Sequence, residues 1–263
     1  MILMNLVREN YSKLNNNDLR IYSYIIQNKS EANELNINEM ADELGLSTSS
    51  IMTFTKKLGL DGYSELKYLI KWSEEDKNST FDDNEIEYTK NDINLTMTMM
   101  TSLNLDGLFE KLGEAKDVFI VGNGYTQLNV AEELKRNFLN VGKIVNILDR
   151  DSDYDRYKSL IKEGDVVFVI SFSGENEKLI DFINSLGEGV TIASITKLSN
   201  NTISHLSDYN VSFVTHEVYD FNQRMKISPI SQFYVVIDFI ILKYLSYLSQ
   251  VKGGKPQSEI YKL

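Results

Sequence analysis

Five short apolar runs constrain this chain more than any other feature: Val118 to Val121, Ile144 to Leu148, Val166 to Ile170, Ile192 to Ile195 and Val211 to Val214. Stretches with helical periodicity separate them. Continuous apolar strands alternating with helices of about a dozen residues are what a parallel sheet covered on both faces requires. The C-terminal part is therefore predicted to be α/β, a five-stranded parallel sheet flanked by helices. Residues 1 to about 73 carry no such runs. Their apolar positions recur at three and four, as in Leu19, Tyr22, Ile25 and Ile26, which predicts an all-α unit. Between the two textures, EEDKNSTFDDNEIEYTKND (74–92) is polar and acidic and suits a linker or a solvated helix start. Ile93 to Leu112 is a candidate helix.

A length of 263 residues exceeds that of one ordinary domain, in line with two units. With 27 Lys and Arg against 38 Asp and Glu, the net charge of −11 excludes a protein coated in positive charge for nonspecific polyanion binding. Residues 1–80 hold 9 basic and 12 acidic side chains, so −8 of the total belongs to the remainder. Lys56, Lys57, Lys67 and Lys71 against Asp61 and Glu65 make Gly45 to Trp72 locally positive, which is where phosphate contacts are expected. The absence of cysteine excludes disulfides, thiolate metal sites and cysteine nucleophiles, and is what a reducing compartment permits. Arg8, Glu9 and Lys13 interrupt the N-terminus before a signal-like apolar run can form. Ile230 to Leu248, the most apolar window, carries Gln232, Asp238 and Lys243 and reads as a packed helix, not a membrane span. A cytoplasmic protein with no membrane partner is expected.

INEMADELGLSTSSIMTFTKK (37–57) has the pattern of a helix-turn-helix. Met40, Ala41 and Leu44 would face Ile51 and Phe54, with small Ala41 allowing close helix crossing and Gly45 taking the left-handed turn. Asn36 with Glu39 predicts a capping box, and Ser47 an N-cap for the second helix. The exposed face of that helix is then expected to present Ser47, Thr48, Ser49, Ser50, Met52, Thr53 and Thr55, followed by Lys56 and Lys57, to double-stranded DNA. Hydroxyls and a methionine are weaker base readers than Arg or Asn, which form bidentate pairs, so DNA shape and other elements are expected to share the specificity. A helical hairpin used only for packing or dimerisation is the plainer alternative.

Two turns in the second half carry ligand chemistry. GNGYTQLNVAEELKRNF (122–138) has Gln127 where a dinucleotide fingerprint needs its third glycine, which disfavours nicotinamide binding. What remains is a glycine turn and a hydroxyl, Thr126, at a helix start, suited to an anion. VVFVISFSGENEKLIDFI (166–183) sets Ser171, Ser173, Gly174, Glu175 and Asn176 at a strand end entering a helix, a donor-rich cradle for phosphate. No Walker lysine follows, which argues against nucleotide triphosphate hydrolysis. Simple helix capping is the alternative reading of both turns.

With these residues in view, the chain resembles the RpiR-type bacterial regulators, which join a helix-turn-helix to a SIS (sugar isomerase) domain. LGLSTSSIMTFTKKLGLDGYSELK is similar to the family's segment from recognition helix through the Lys57-Leu58-Gly59 and Gly62-Tyr63 turns, departing at Thr53, where members usually carry Arg. GNGYT resembles the family's glycine loop, with Thr126 for Ser, and SFSGEN its SxSGxT signature, with Asn176 in the Thr position. The resemblance implies that Thr126, Ser171, Ser173 and Asn176 surround a sugar phosphate's phosphoryl group, with main-chain help from Asn123, Gly124, Gly174 and Glu175. It also implies that Ile195-Thr196 ends the fourth strand, that Asp208 precedes the fifth and that SQFYVVIDFIILKYL is the closing helix, often part of a subunit contact. The domains expected are a DNA-binding unit over 1–77, a connecting segment over 78–106 and a SIS domain over 107–263.

SIS domains also serve as isomerases, so His205, His216, Glu217 and Glu175 are candidate proton carriers. His216 and Glu217, after a predicted strand, are expected at the sugar ring, with Arg224 and Lys226 as possible cations. The appended reader helix favours a transcriptional regulator of carbohydrate metabolism, not an enzyme, that uses no cofactor or metal. Its operator binding would be modulated by a sugar phosphate, and it would act as a homodimer or homotetramer. The alternative is a phosphosugar isomerase fused to an interaction domain.

Overall fold

The computed structural model describes residues 2–72, 84–149, 154–219 and 226–251. Arg224, the side chains of Lys71 and Lys226, and 74–83 of the expected linker lie outside them. Of the described residues, those within 1–99, 197–201 and 212–232 form one compact unit, and those within 100–196, 202–211 and 233–251 another.

The first unit is built from α1 (Ile2–Glu9), α2 (Asn16–Gln27), α3 (Lys29–Glu34), α4 (Ile37–Leu44), α5 (Thr48–Lys57), α6 (Tyr63–Trp72) and the start of α7 (Glu85–Ser102), together with the short antiparallel pair β6 (Val218–Tyr219) and β7 (Lys226–Ile227). Its core holds Leu3 and Val7 of α1, Leu19, Tyr22 and Ile25 of α2, Met40 and Ala41 of α4, and Ile51 and Phe54 of α5. The positions expected to face inward in the helix-turn-helix do so. Local chemistry sets its geometry. The Asn36 side chain accepts from the N–H groups of Asn38 and Glu39 while Glu39 accepts from the Asn36 N–H, closing the capping box. Gly45 takes φ 60°, and Ser47 Oγ accepts from Ser50 N to open α5.

Two expectations on α5 are corrected. Thr55 is fully buried, with its hydroxyl donating to the Met52 carbonyl at 2.7 Å, because it lies one turn beyond Ile51 on the inward face. Lys57, expected at DNA phosphates, instead donates to Asp18 Oδ2 at 2.5 Å. Asp18 is the N3 residue of a second capping box, accepting from Asn15 N at 2.7 Å, so one buried carboxylate joins the start of α2 to the end of α5.

The second unit follows α8 (Asp106–Glu114) with β1 (Val118–Gly122), α9 (Tyr125–Asn140), β2 (Asn146–Leu148), α10 (Tyr154–Leu160), β3 (Val166–Ile170), α11 (Glu177–Asn184), β4 (Thr191–Lys197), α12 (Thr202–His205), β5 (Tyr209–Phe213) and α13 (Ser231–Val251). The five strands make a parallel sheet in the order β2-β1-β3-β4-β5, as expected. β1 and β3, buried at every residue, run in register from Val118 opposite Val166 to Gly122 opposite Ile170. α13 buries Phe233, Val236, Ile237, Ile240 and Tyr244, and leaves Leu242 and Leu245 exposed. By length and composition alone α13 is also apolar enough to cross a membrane.

The single helix expected over Ile93 to Leu112 is two. α7 ends at Ser102, and the Asn104 side chain accepts from Asp106 N at 2.8 Å to start α8. Nor is α7 a bare connector, since Asp92, Leu95 and Thr96 are buried.

Removing one partner of a buried ion pair costs about 3 to 5 kcal/mol, because the other charge is left without its counterpart. Asp18→Ala strips Lys57 and the α2 cap together, and is expected to lower unfolding stability by about 2 to 4 kcal/mol, read as a fall in urea midpoint. Lys57→Met is expected to lower it as well, by leaving Asp18 buried and unpaired.

Candidate functional site

Strand order decides where a ligand can sit. The chain leaves β1 toward β2 on one side and returns to β3 on the other, so the strand order reverses between β1 and β3 while the strands stay parallel. In open α/β sheets the crevice beyond the strand carboxyl ends at that reversal is the usual ligand site. Here it lies between the residues that follow Gly122 and those that follow Ile170, which are register partners. The structure thus brings Asn123, Gly124 and Thr126 to one side of the reversal and Ser171, Ser173, Gly174, Glu175 and Asn176 to the other.

Each loop is held by its own hydrogen bonds. Ser171 Oγ accepts from Gly174 N at 3.1 Å and Ser173 Oγ from Glu175 N at 3.2 Å, leaving both hydroxyl protons available to donate. Gly174 turns the loop at φ 75°. Asn176 Oδ1 caps α11 by accepting from Leu179 N at 3.1 Å. Across the reversal, α9 opens after Gly124 without a side-chain cap, so its first-turn N–H groups and positive dipole end suit an anion. Gly122 and Gly124 are needed there. A Cβ on Gly122 would meet the Gln127 Cβ at 3.1 Å, and one on Gly124, at φ 111°, would meet Gln127 Oε1 at 2.7 Å.

Sequence reasoning missed what anchors the second loop. Glu175 accepts from Thr202 N at 2.8 Å and from Thr202 Oγ1 at 2.7 Å, and Ile203 N donates to the Gly174 carbonyl at 3.0 Å. The Glu175 carboxylate therefore fastens the loop to α12, 27 residues on, a distance no local pattern reveals. Of the other candidate proton carriers, His205 is exposed on α12. Glu217 lies 3.8 Å from Lys197. His216 is not grouped with the loops. It belongs to the first unit, where Nδ1 is 2.6 Å from Asp92 Oδ2 and Nε2 is 2.6 Å from Glu85 Oε2.

In the first unit, Ser49, Thr48, Met52, Thr53, Lys56 and Lys57 line a wide concavity of about 780 Å³ with Ile37 and Asn38 of α4. Ser47 Oγ lies 2.9 Å from both the Ser49 and Ser50 hydroxyls, and Thr53 Oγ1 donates to the Ser49 carbonyl. Lys56 donates to the Asp61 carbonyl at 2.6 Å and Lys67 to that of Glu34 at 3.1 Å. Among the described residues, the expected basic cluster is thus largely turned onto its own backbone. Behind the groove, burial and then Glu39 push the Tyr63 phenol up to about 12, and its hydroxyl donates to the Leu35 carbonyl at 2.9 Å.

A helix-turn-helix with an exposed hydroxyl-rich face, on the same chain as a parallel sheet with paired anion-suited loops, defines a two-part regulator. Residues 1–77 match the model of the helix-turn-helix domain of the rpiR family, and residues 111–241 that of the SIS domain. The chain belongs to the RpiR-type transcriptional regulators, as its resemblance implied. It is 28% identical over 254 residues to the HTH-type transcriptional regulator GlvR of Bacillus subtilis, covering 96% of this chain and 99% of that protein. A second HTH-type transcriptional regulator, from Caldanaerobacter subterraneus, is 27% identical over 270 residues, covering 97% and 95%. The same fold occurs in the Vibrio vulnificus NanR protein complexed with ManNAc-6P, with TM-score 0.50, 16% identity and coverage of 97% and 95%.

Gly124→Ala is expected to destabilise the protein by about 1 to 3 kcal/mol in chemical denaturation, through left-handed strain and the Gln127 clash. Adding Gln127→Ala relieves the clash but not the backbone strain, so recovery in the double variant is expected to be partial.

Proposed function

We propose that this protein binds operator DNA through α5 and that a sugar phosphate, held between the β1 and β3 loops, modulates that binding to control carbohydrate metabolism. The observation that carries this reading is the register of Gly122 with Ile170, which sets an uncapped helix start beside the Ser171 to Asn176 loop in a chain that also holds a reader helix. Thr126, Ser171, Ser173 and Asn176, with backbone at Asn123, Gly124, Gly174 and Glu175, take the phosphoryl group. The engagement of Glu175 with Thr202 and of His216 with Asp92 and Glu85 supports a binding role over proton transfer, and hence a regulator without turnover. The occurrence of the same fold in a protein complexed with ManNAc-6P is in keeping with a phosphosugar ligand. DNA contacts come from Ser47, Thr48, Ser49, Ser50, Met52, Thr53 and Lys56, with Lys57 held to Asp18. The protein works in the cytoplasm as a homodimer or homotetramer, so that paired reader helices span successive major grooves.

A thermal-shift screen against hexose, pentose and amino-sugar phosphates tests the effector, with free sugars and inorganic phosphate as controls. One sugar phosphate is expected to stabilise the protein, by about 2.7 kcal/mol at a hundredfold excess over Kd, and Ser173→Ala is expected to abolish the shift. No shift with any of them would sink the effector assignment. On the DNA side, Thr53→Arg restores the cation that family members usually carry. It is expected to tighten operator binding and steepen its salt dependence by about 0.9 in log–log slope for each phosphate gained, measured by fluorescence anisotropy across a salt series.

A further inference from the structure

The concavity between α4 and α5 is lined in part by Ile37, Thr48, Met52 and Thr53. Thr48, Met52 and Lys56 recur at four-residue spacing, with Ser49 and Thr53 alongside, so they share a face of α5 turned away from buried Ile51, Phe54 and Thr55. Much of the hydrogen bonding on this face is internal. The Ser49 hydroxyl lies 2.9 Å from Ser47 Oγ, and the Thr53 hydroxyl donates to the Ser49 carbonyl at 2.8 Å. Lys57 is paired with Asp18, and Lys56 donates to the Asp61 carbonyl at 2.6 Å. Of the polar side chains lining the groove, those of Asn38 and Thr48 have no hydrogen-bond partner among the described residues, and neither is charged.

The remaining groups are apolar. Ile37 and Met52 are half-buried, and the exposed Thr48 and Thr53 each carry a methyl. Met52 Cε lies 3.7 Å from the place a Cβ on Gly62 would take, so the tip of the side chain rests beside the turn that precedes α6. Isoleucine has no polar side-chain atom, and a thioether donates nothing and accepts weakly, so neither residue reads the hydrogen-bonding edge of a base. The major groove of DNA presents one apolar group, the C5 methyl of thymine, which also marks the strand of an A·T pair that carries it. Threonine methyls pack against that group, and methionine adapts its shape to irregular apolar surface.

We infer that this groove reads thymine methyl groups, with Met52 and Ile37 as the specificity-determining residues and the methyls of Thr48 and Thr53 beside them. The inference rests on the proposed DNA binding through α5 and names what that binding recognises. DNA is the occupant because the groove is continuous with the exposed face of the second helix of a helix-turn-helix, the element that enters the major groove. Ile37 of α4 thereby takes a place in the reading surface, outside the face of α5 on which the sequence pattern centres. Burying one methyl group changes affinity by about fourfold, so discrimination accumulates over several thymines and does not rest on one strong pair.

The test removes the methyl from the DNA before anything is removed from the protein. The full-length wild type selects duplexes from random-sequence DNA, and each thymine of a selected site is then replaced in turn by deoxyuridine, which pairs as thymine does and lacks only the methyl. Affinities are measured by fluorescence anisotropy at one fixed salt concentration, since DNA binding depends steeply on salt. At one or more thymines the replacement is expected to weaken wild-type binding about fourfold, while Met52→Ala brings the ratio at such a thymine to within about 1.5-fold of unity and Met52→Leu retains it. Taking both ratios on the same pair of duplexes cancels what the replacement does to the DNA itself. A selected site without thymine, or one indifferent to deoxyuridine at every thymine, overturns the inference. So does an undiminished ratio in both Met52→Ala and Ile37→Ala, which would put the methyl contact elsewhere on the protein. Should Met52→Ala not fold, Ile37→Ala is read in its place: a ratio lowered at least about twofold supports the inference, and an unchanged one overturns it. If the wild type selects no duplex at all, it is the DNA-binding function that fails, and the inference with it.

Discussion

The pairing of β1 with β3 is the constraint on which the second unit depends. Five residues of each strand are buried on both faces, so their backbone groups have no water and must bond to one another. A slip of one residue would separate Gly122 from Ile170 and with it the two loops that follow. The sheet is thus both core and ruler. Its apolar interior fixes a register, and the register fixes the spacing of an uncapped helix start and a hydroxyl-bearing loop.

The first unit relies on a different device. Its apolar core is supplemented by buried carboxylates with several partners each: Asp18 serves the α2 cap and Lys57, and Asp92 serves Arg8 and His216. Such groups are expensive to desolvate and tolerable only when every partner is in place, which ties distant segments to one arrangement. The unit is assembled as much by charge accounting across helices as by the leucines and isoleucines between them.

This difference explains what was legible in the sequence. Caps, the Gly45 turn, the inward positions of α4 and α5, and all five strands follow from local rules, because the partners lie within four residues or the apolar pattern is its own evidence. The misjudged residues are those whose partners are remote. Lys57 was expected at a phosphate because Asp18 is 39 residues away, Glu175 was a candidate proton carrier because Thr202 is 27 away, and His216 was expected at the sugar ring because Asp92 is 124 away. Thr55 was misjudged for another reason. Its polarity suggested exposure, while its spacing from Ile51 already placed it inside, with the hydroxyl satisfied by the preceding turn.

The partners of the lysines around α5 bear on how such a protein meets DNA. Sequence-independent attraction to DNA comes from cations free to displace counterions. On the proposed reading, the pairing of Lys57 with the buried Asp18 takes one cation out of that attraction, while Lys56 and Lys67, bonded to neutral carbonyls, keep their charge. On that reading, residence at an operator rests on fit along the hydroxyl-lined groove of Thr48, Ser49 and Thr53, more than on charge.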